Sequence, residues 1–367
     1  MKHQSKIVFI RSSAIGDVVL ASACLNYLKR LDYQDSIYWI GKKLTNDLLN
    51  QAYPDVTYFN LEDNLGEDER FQSLFSKVKP SHDALLIDLQ CNLRSRRLAN
   101  RFKRAGYKIY RPSKEQFFRN KLIAAARIRG RGKPQPTSEQ QIKFYQYKNM
   151  LNTLFIGLNR SKLNFSNLNI VDGIRPELNF TQQNSAPYQS DLSIGTWIGL
   201  APGASYKTKE APPELFCEIL QAIRSRVAND VGICFFGSQD ERELCHALQS
   251  KLNWSGPTLN LAGKTNLQDS AQAIGKLKVL LSNDSSLVHI AEAQGVPVLA
   301  LFGPTSEAFG FAPHLDTSKA FSSPVGCRPC SKHGKTPCRY DDKICFNSLS
   351  VAEIAQSLSD ICLSESH

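Results

Sequence analysis

The sequence has no long hydrophobic run. None of its apolar stretches approaches the roughly 18 consecutive residues that a helix needs to cross a bilayer. The apolar run near the amino terminus is short and ends at Arg11, which does not fit a secretion signal, so we expect a cytoplasmic protein. Of the 367 residues, 42% are hydrophobic and 22% are charged, a balance that excludes a mainly disordered chain.

Two common nucleotide-binding fingerprints are also missing. The sequence contains neither G-x-G-x-x-G nor G-x-x-x-x-G-K-[ST], which disfavours dinucleotide-dependent dehydrogenases and P-loop NTPases. Ten cysteines in a chain of this length do not form a disulfide framework. Four of them have the spacing C-x2-C-x7-C-x6-C, which could bind Zn²⁺ or could be a cluster of inert thiols: Cys327, Cys330, Cys338 and Cys345.

Acidic charge is scarce in one region. Between Arg94 and Lys133 the chain has ten arginines, five lysines and one acidic residue, Glu115. This basic segment carries +14, whereas the whole chain carries +11. Such a segment attracts phosphates or carboxylates, which occur on nucleic acid, on lipid headgroups and on acidic sugars. The alternative is that the segment forms a helical face exposed to solvent, without a binding role. No recognised nucleic-acid-binding module accompanies it, so nucleic acid is not the expected partner.

Strand candidates alternate with helix candidates in both halves of the chain. Apolar runs at Ile7–Arg11, Ser36–Gly41 and Ala84–Gln90 precede helical patterns, and the alternation resumes at Thr196–Ser205. Alternation of this kind predicts an α/β fold with two parallel sheets, each covered on both faces. We expect ligands to bind at the carboxyl ends of the strands.

The polar stretch Asn179–Ser193 has the composition of an inter-domain linker. The sequence therefore predicts one domain over residues 1–185 and a second over 186–367. The last helix, near Val351–Cys362, is expected to pack back on the first domain.

Polar turns follow strand candidates in both halves. Ser12–Asp17 comes after the opening strand, and Gly16 lets a substrate approach the backbone closely. Pro202–Lys209 suits a phosphate, because lysines follow a Gly-Ala-Ser turn. Ser282–His289 ends a strand and starts a helix whose amino terminus favours an anion. Phe236–Glu241 puts carboxylates after a strand, where they could hold ribose hydroxyls.

Each turn also has a purely structural explanation. Asp17, Ser285 and Ser286 are of types that cap helices. Lysines are common in solvated loops, and His289 has apolar neighbours that suit a buried core histidine.

Taken together, the stretches IVFIRSSAIGDVVLASACLNYLK, IGLAPGASYKTKEAPPELF and LSNDSSLVHIAEAQGVPVLALFGPT resemble glycosyltransferase family 9, the ADP-heptose:lipopolysaccharide heptosyltransferases. The resemblance implies the GT-B architecture, in which two Rossmann-like domains face each other across a cleft. It also implies an inverting, metal-independent transfer of a heptose from ADP-heptose to the Kdo and lipid A inner core, without a cofactor.

The same resemblance implies roles for individual residues. Asp17 aligns with the general base that takes the proton of the acceptor hydroxyl. Lys209 aligns with a lysine near the diphosphate, where it would offset charge on the leaving ADP. Nine residues are expected to bind the donor: Ser205, Asp240, Glu241, Thr265, Leu267, Asp284, Ser285, Ser286 and His289. Five are expected to bind the acceptor: Ser13, Gly16, Arg94, Arg96 and Arg97.

The implied acceptor is acidic, since Kdo carries carboxylates and lipid A carries phosphates. The basic segment is therefore expected to bind it. Phe117–Lys133 mixes apolar and basic residues, the composition of an interfacial amphipathic helix. We therefore expect peripheral association with the inner face of the cytoplasmic membrane.

Two departures from the family pattern leave alternatives open. Glu210-Ala211 follows Lys209 where many members have Trp-Pro, and Ser286 stands where glycine is common. A family member with a different nucleotide sugar or acceptor remains one alternative. The others are a basic nucleic-acid-binding protein, a nucleotide-sugar epimerase and a catalytically silent sugar-binding protein.

Overall fold

A computed structural model describes residues 6–33, 36–61, 67–78, 84–113, 115–141, 145–160, 173–180, 191–192 and 195–364. The chain forms two compact units. The first unit comprises Met1–Lys114 and Gln146–Gln182, and the second comprises Glu115–Tyr145 and Gln183–His367. Most of the predicted linker, and the predicted boundary after residue 185, lie outside the described residues.

Each unit contains one parallel sheet. The first sheet has the order β3-β2-β1-β4-β5 and the second β11-β10-β9-β6-β7-β8. The strands are β1 (Lys6–Ile10), β2 (Ser36–Gly41), β3 (Thr57–Asn60), β4 (Leu85–Asp88), β5 (Lys108–Tyr110), β6 (Trp197–Ala201), β7 (Gly232–Phe235), β8 (Thr258–Asn260), β9 (Val279–Asn283), β10 (Val298–Phe302) and β11 (Lys319–Ser322). The predicted α/β fold with two parallel sheets is confirmed.

Helices connect the strands. In chain order they are α1 (Ile15–Arg30), α2 (Lys43–Ala52), α3 (Glu67–Lys77), α4 (Leu93–Arg104), α5 (Gln116–Arg129), α6 (Thr137–Gln140), α7 (Gln146–Arg160), α8 (Pro213–Ile223), α9 (Arg242–Leu252), α10 (Leu267–Ile274), α11 (Ser286–Glu292), α12 (Ile344–Asn347) and α13 (Val351–Leu363). None of these helices is long and apolar enough to cross a membrane.

Strands β4, β6, β7, β9 and β10 are buried along their whole length, and β1 is buried at all but its first residue, which explains their apolar sequences. In the first unit Val8 and Ile10 of β1 belong to a core with Phe102 of α4, and in the second unit Ile198 and Leu200 of β6 belong to a larger core. β1 lies between β2 and β4, and β6 lies between β7 and β9. In each unit the strand order therefore reverses at one central strand, because the chain continues on one side of it and later on the other. In sheets of this kind, ligands bind at the carboxyl ends of the strands beside that point.

The segment Glu115–Tyr145 belongs to the second unit, whereas the predicted boundary placed it in the first. Leu122 of α5 packs with Ala308 and Phe309, and Phe118 and Ile123 pack against the same cluster. The segment is also tied to the second unit by the backbone, since the Gln135 N–H donates to the Pro324 carbonyl at 2.6 Å. Most of the apolar face predicted to enter a membrane is therefore used in internal packing.

The last helix, α13, packs within the second unit. Its residues Ile354, Ala355 and Leu358 are buried in the core that also contains Phe216 and Leu220 of α8. The apolar face of α13 therefore has a partner in α8, and the expectation that this helix packs back on the first domain stays a prediction.

Candidate functional site

In the first unit, the turn after β1 is held by the residue that follows β4. The Gln90 side-chain oxygen accepts hydrogen bonds from the backbone N–H groups of Ser12 at 2.9 Å and Ser13 at 3.2 Å. The Gln90 amide nitrogen donates to the Ser13 hydroxyl at 3.2 Å. Gln90 therefore fixes the turn that precedes α1, and with it the start of the helix that carries Asp17.

Asp17 lies in the first turn of α1, where the partial positive charge of the helix terminus favours a carboxylate. Its Oδ2 atom forms an ion pair with Nη2 of Arg11 at 2.6 Å and accepts from the Ala14 N–H at 3.3 Å. The side chain remains 23% exposed. Ala14 is the N-cap of α1 and Asp17 is its third residue, so Asp17 is not the N-cap itself but does contribute to capping.

A pocket opens beside this turn and includes part of the basic segment. Arg94 and Arg97 line it, together with Ser12 and Gln90. Arg101, which the sequence analysis did not select, also lines the pocket, whereas Arg96 does not. Two predicted acceptor residues are engaged elsewhere: Ser13 bonds to Gln90, and Gly16 is buried in the first turn of α1.

In the second unit, Lys209 and Asp284 form an ion pair at 2.8 Å. Lys209 follows β6 and Asp284 follows β9, which are neighbouring strands. The Thr305 hydroxyl, from the turn after β10, donates to the same Asp284 oxygen at 2.7 Å. Three polar side chains from three adjacent strand ends thus meet at the carboxyl edge of the sheet, where the sequence analysis expected the ligand.

The electrostatics of Asp284 follow from its surroundings. Burial alone would raise the pKa of the Asp284 carboxyl, but the Lys209 ammonium and the hydrogen bonds from Lys209 and Thr305 outweigh it and hold the pKa below its ordinary value. The positive potential of His289 acts in the same direction. Asp284 is therefore ionised at neutral pH and keeps Lys209 oriented.

The loops around this pair are fixed by polar contacts. Asn283, the last residue of β9, donates to the Pro202 carbonyl at 2.6 Å and accepts from the Ala211 N–H at 3.1 Å. Glu241 accepts from the Ser238 N–H at 2.6 Å, and its carboxylate lies against Gly203 so closely that a Cβ at Gly203 would overlap it. A larger residue in the turn after β6 would therefore displace the Glu241 carboxylate.

The cysteine-rich segment, residues 327–345, supports the Lys209 turn. The stem of Lys209 packs against Gly334, and the Thr208 hydroxyl donates to the Gly334 carbonyl. Lys343 donates to the carbonyls of Lys207 at 3.1 Å and Glu210 at 2.8 Å. This segment therefore helps to hold Lys209 in place.

Arg328 anchors the same segment from within. Its guanidinium is buried and donates to the carbonyls of Gly303, Thr305 and Ser323 at 2.9–3.0 Å. It also pairs with Glu307 at 3.0 Å. The turn that carries the Thr305 hydroxyl is fixed by these bonds.

The remaining donor candidates lie at the same edge with differing exposure. Ser285 caps α11 by accepting from the Leu287 N–H at 3.3 Å, so the capping explanation holds for it. His289 is buried in that helix, and Ser286 is its first residue. Ser205 and Asp240 are exposed. Thr265 lies 2.6 Å from the Ser270 hydroxyl, and Leu267 begins α10.

The four cysteines are not gathered into a metal site. Among the described residues, no group of three or more His, Cys, Asp or Glu side chains is arranged to hold a metal ion. Burial raises the pKa of the Cys330 thiol to about 11 and that of Cys345 to about 12, and it raises the pKa of Cys327 as well. Thiols with a raised pKa are protonated at neutral pH. Zinc binding by these cysteines stays a prediction.

Several residues at the two sites were missed by the sequence analysis. Arg11, Gln90, Asn283 and Arg328 hold the functional side chains or their turns. Thr305 lies in a turn that the sequence marks only as Phe-Gly-Pro-Thr after a strand. A signal existed for Arg11 and Gln90, since each is the polar last residue of a predicted apolar strand.

Comparison with known proteins identifies the family of this chain. The profile of glycosyltransferase family 9 (heptosyltransferase) matches residues 156–340, half of the chain. A lipopolysaccharide heptosyltransferase 2 from Salmonella typhimurium is 29% identical over 36% of the chain and 39% of its own length. The lipopolysaccharide core heptosyltransferase OpsX from Haemophilus influenzae is 26% identical over 81% of the chain and 78% of its own length.

The fold is also similar to that of a solved heptosyltransferase structure. ADP-heptose lipopolysaccharide heptosyltransferase II from Escherichia coli superimposes with a TM-score of 0.66 over 98% of both chains, at 20% identity. The two parallel-sheet units are thus of the GT-B class of glycosyltransferase folds. The chain belongs to glycosyltransferase family 9, the heptosyltransferase family. Against the heptosyltransferase 2 relatives from Salmonella and Haemophilus influenzae, the match spans only 39% and 32% of their length.

Proposed function

We propose that this protein transfers a heptose from ADP-heptose to the inner core of lipopolysaccharide, with inversion at the anomeric carbon. The observation that carries the proposal is the Lys209–Asp284 ion pair at the carboxyl edge of the second sheet, inside the region that matches the family. The names of the relatives support the donor and the acceptor class.

The second unit is proposed to bind the donor. Lys209 is held by Asp284 in a largely buried position, 13% exposed. An ammonium fixed in this way stabilises the negative charge that develops on the leaving ADP without first having to reorganise. Ser285, Ser286 and the start of α11 supply further donors for the diphosphate or the sugar. Glu241 is the candidate for the ribose hydroxyls.

The first unit is proposed to bind and activate the acceptor. Asp17 takes the proton from the acceptor hydroxyl as that oxygen attacks the anomeric carbon, which is general base catalysis. Arg94 and Arg97, which line the pocket beside the Ser12 turn, are proposed to bind the carboxylates or phosphates of a Kdo and lipid A acceptor. Ser13, Gly16 and Arg96 are weaker candidates, because none of them lines this pocket.

Peripheral association with the inner face of the cytoplasmic membrane is part of the same proposal, because the acceptor is a membrane lipid. The support is the outer face of α5, where Phe117 and Ile128 are 85% and 87% exposed. Lys121 and Arg127 are exposed on the same helix.

The test is transfer of heptose to a Kdo₂–lipid A acceptor by purified protein and its Asp17→Asn variant. We expect the variant to lose transfer by at least about 100-fold, the lower range for general base catalysis, while its affinity for ADP stays within twofold. Asp47→Asn is the matched control: Asp47 is exposed and pairs with Lys43 at 2.8 Å on α2. Parental turnover in Asp17→Asn would remove Asp17 as the base.

A panel of donors tests the identity of the sugar nucleotide. Glu210 and Ala211 depart from the common pattern beside Lys209, which favours including UDP- and GDP-sugars with ADP-heptose. We expect turnover with ADP-heptose to exceed that with the others. Turnover confined to another nucleotide sugar would keep the class of reaction and replace the donor.

A further inference from the structure

The partner of Asp17 was not anticipated by the sequence analysis. Arg11 follows β1 directly, and its side chain is only 10% exposed. The main chain of Arg11 is fixed, because its N–H donates to the Ile40 carbonyl at 3.1 Å and its carbonyl accepts from the Trp39 indole at 3.2 Å. The backbone from which the Arg11 side chain extends is therefore held in place.

The two ends of the guanidinium have different partners. Nη1 donates to the Leu89 carbonyl, just after β4, and Nη2 pairs with Oδ2 of Asp17 at 2.6 Å. Arg11 thus connects the edge of the sheet to the first turn of α1. A planar fork with both ends engaged has little rotational freedom, so the carboxylate that it holds is oriented as well.

The other oxygen of Asp17 is left open. Oδ2 takes both the Arg11 ion pair and the Ala14 N–H, while none of the hydrogen bonds or ion pairs of the described residues reaches Oδ1. The side chain is 23% exposed, so a substrate hydroxyl has access to it.

Asp88, at the end of β4 in the same unit, differs from Asp17 in the contacts of its carboxylate. Asp88 is fully buried and uses both oxygens: Oδ1 accepts from the Cys91 N–H at 2.9 Å, and Oδ2 pairs with Arg111 at 2.8 Å. Asp88 has the contacts of a structural carboxylate. Asp17 has one oxygen bound and one open, as a base needs.

We propose that Arg11 is a positioning residue, which binds Oδ2 of Asp17 and thereby presents Oδ1 to the acceptor hydroxyl. This inference rests on the proposed function. In the reaction the acceptor O–H bond breaks and its proton passes to Oδ1. The acceptor oxygen forms the new bond to the anomeric carbon, and the electron pair of the old bond to that carbon leaves with ADP.

The experiment compares the Arg11→Lys and Arg11→Gln variants with the parent. A lysine keeps the charge but is a single ammonium, which does not reproduce the two-ended contact with Leu89 and Asp17. A glutamine can still donate to Leu89 but has no charge for Asp17. The matched control is Arg30→Lys at the other end of α1, roughly 20 Å away along the helix, where Arg30 pairs with Glu177 at 2.8 Å.

We expect kcat to fall about 100-fold in both Arg11 variants, the size of effect that an approximately 1 Å misplacement has on a reacting group. The KM for ADP-heptose and the Kd for ADP should stay within twofold of the parent, and Arg30→Lys should keep parental kcat. A smaller folded fraction would also lower the apparent kcat at unchanged KM, so the number of ADP sites per chain is measured as well and should equal that of the parent.

Two results would overturn the inference. One is a kcat within threefold of the parent in both Arg11 variants. The other is loss of ADP binding together with kcat in both, which would assign Arg11 to the fold. The proposed function fails separately, if the parent transfers no heptose or if Asp17→Asn keeps parental turnover. If the Arg11 variants remain active while Asp17→Asn is inactive, only the role of Arg11 is overturned, and the proposed function stands.

Discussion

At the scale of single residues, one buried carboxylate of the second unit contacts a histidine ring. Glu292 of α11 pairs with the His314 ring at 2.8 Å, and both side chains are almost fully buried. The other Glu292 oxygen accepts from the N–H groups of His314 at 2.6 Å and Leu315 at 2.9 Å. Glu292 therefore connects the helix that carries His289 to the loop after Phe311.

The charge of Glu292 makes this contact sensitive to pH. Burial alone would raise the pKa of the carboxyl, but the hydrogen bond and charge of His314, the Leu315 N–H and the potential of His289 outweigh it, and the pKa is lowered. The folded protein then holds the proton less tightly than the unfolded chain. The resulting stabilisation is complete above the ordinary glutamate pKa of about 4.3 and is lost as the pH falls through the lower, folded value.

We therefore expect Glu292→Gln to lower the free energy of unfolding at pH 7 by about 1.5–3 kcal/mol, the range for hydrogen bonds to charged groups. The variant should also lose less stability than the parent between pH 7 and pH 3, because the loss lies below the ordinary glutamate pKa. Urea unfolding at the two pH values measures both effects, with Glu218→Gln, an exposed glutamate of α8, as the control. Equal pH dependence in the parent and Glu292→Gln would contradict this account.

At this scale the sequence identified side chains better than their partners. Asp17, Lys209 and Asp284 were selected because each follows a strand candidate and fits the family motif. Lys209 and Asp284 pair with each other, but Arg11 and Thr305 were not selected, since Arg11 meets Leu89 across 78 positions and Thr305 meets Asp284 across 21. Contacts of this kind depend on which strands are neighbours, and a linear pattern does not contain that information.

At the scale of elements, α5 has apolar residues on two faces, one buried within the second unit and one exposed to solvent. Its inner face, with Leu122 and Ala126, is buried in the second unit. Its outer face presents Phe117, Lys121 and Ile128, which lie within a narrow arc of the helix at offsets of four and seven residues. Composition predicts such a helix, but only the fold shows which apolar residues remain exposed.

We expect the outer face of α5 to bind anionic vesicles. The paired substitution Lys121→Glu and Arg127→Glu should weaken binding to phosphatidylglycerol vesicles at least tenfold, since each basic residue near an anionic surface contributes about 1 kcal/mol. Co-sedimentation measures it, with Arg224→Glu and Lys276→Glu as a control pair of exposed basic residues in the second unit. Undiminished sedimentation of the α5 variant would show that the helix is not the docking surface.

This choice of residues follows from the structure. Arg129 donates to the Gly326 carbonyl and Arg131 pairs with Asp342. Charge reversal at either position would disturb the fold as well as the surface. Lys121 and Arg127 avoid that difficulty, because their side chains are exposed.

The strands that the sequence missed are at or near the edges of the sheets. β3, β5 and β11 have three or four residues each and contain polar or exposed positions. Edge strands of this kind lack the continuous apolar run of a strand covered on both faces. The central strands were predicted to within a few residues because they have that run.

At the scale of the whole molecule, the chain passes between the two units three times. It leaves the first unit at Lys114, returns at Gln146 and leaves again at Gln182. A single division near residue 185 captured the composition change but not the excursion through α5 and α6. The excursion was hidden because helices of both units have similar amphipathic patterns.

All of the proposed donor residues lie in the second unit, which predicts where ADP protects the chain. Hydrogen exchange in the presence of ADP at 100 times its Kd, which stabilises the bound form by about 2.7 kcal/mol, should slow at 202–209 and 283–289. Exchange at 12–17 should be unchanged, and Lys209→Met should weaken the protection. Protection confined to the turn after β1 would reverse the proposed assignment of donor and acceptor.

Arg328 has a consequence for how the protein is made. Its guanidinium binds the carbonyls of Gly303 and Thr305, which precede it by 25 and 23 residues. On a ribosome, the turn with the Thr305 hydroxyl emerges well before the side chain that secures it. The proposed nucleotide site is thus completed late in biosynthesis, only when the nascent polypeptide has grown past Arg328.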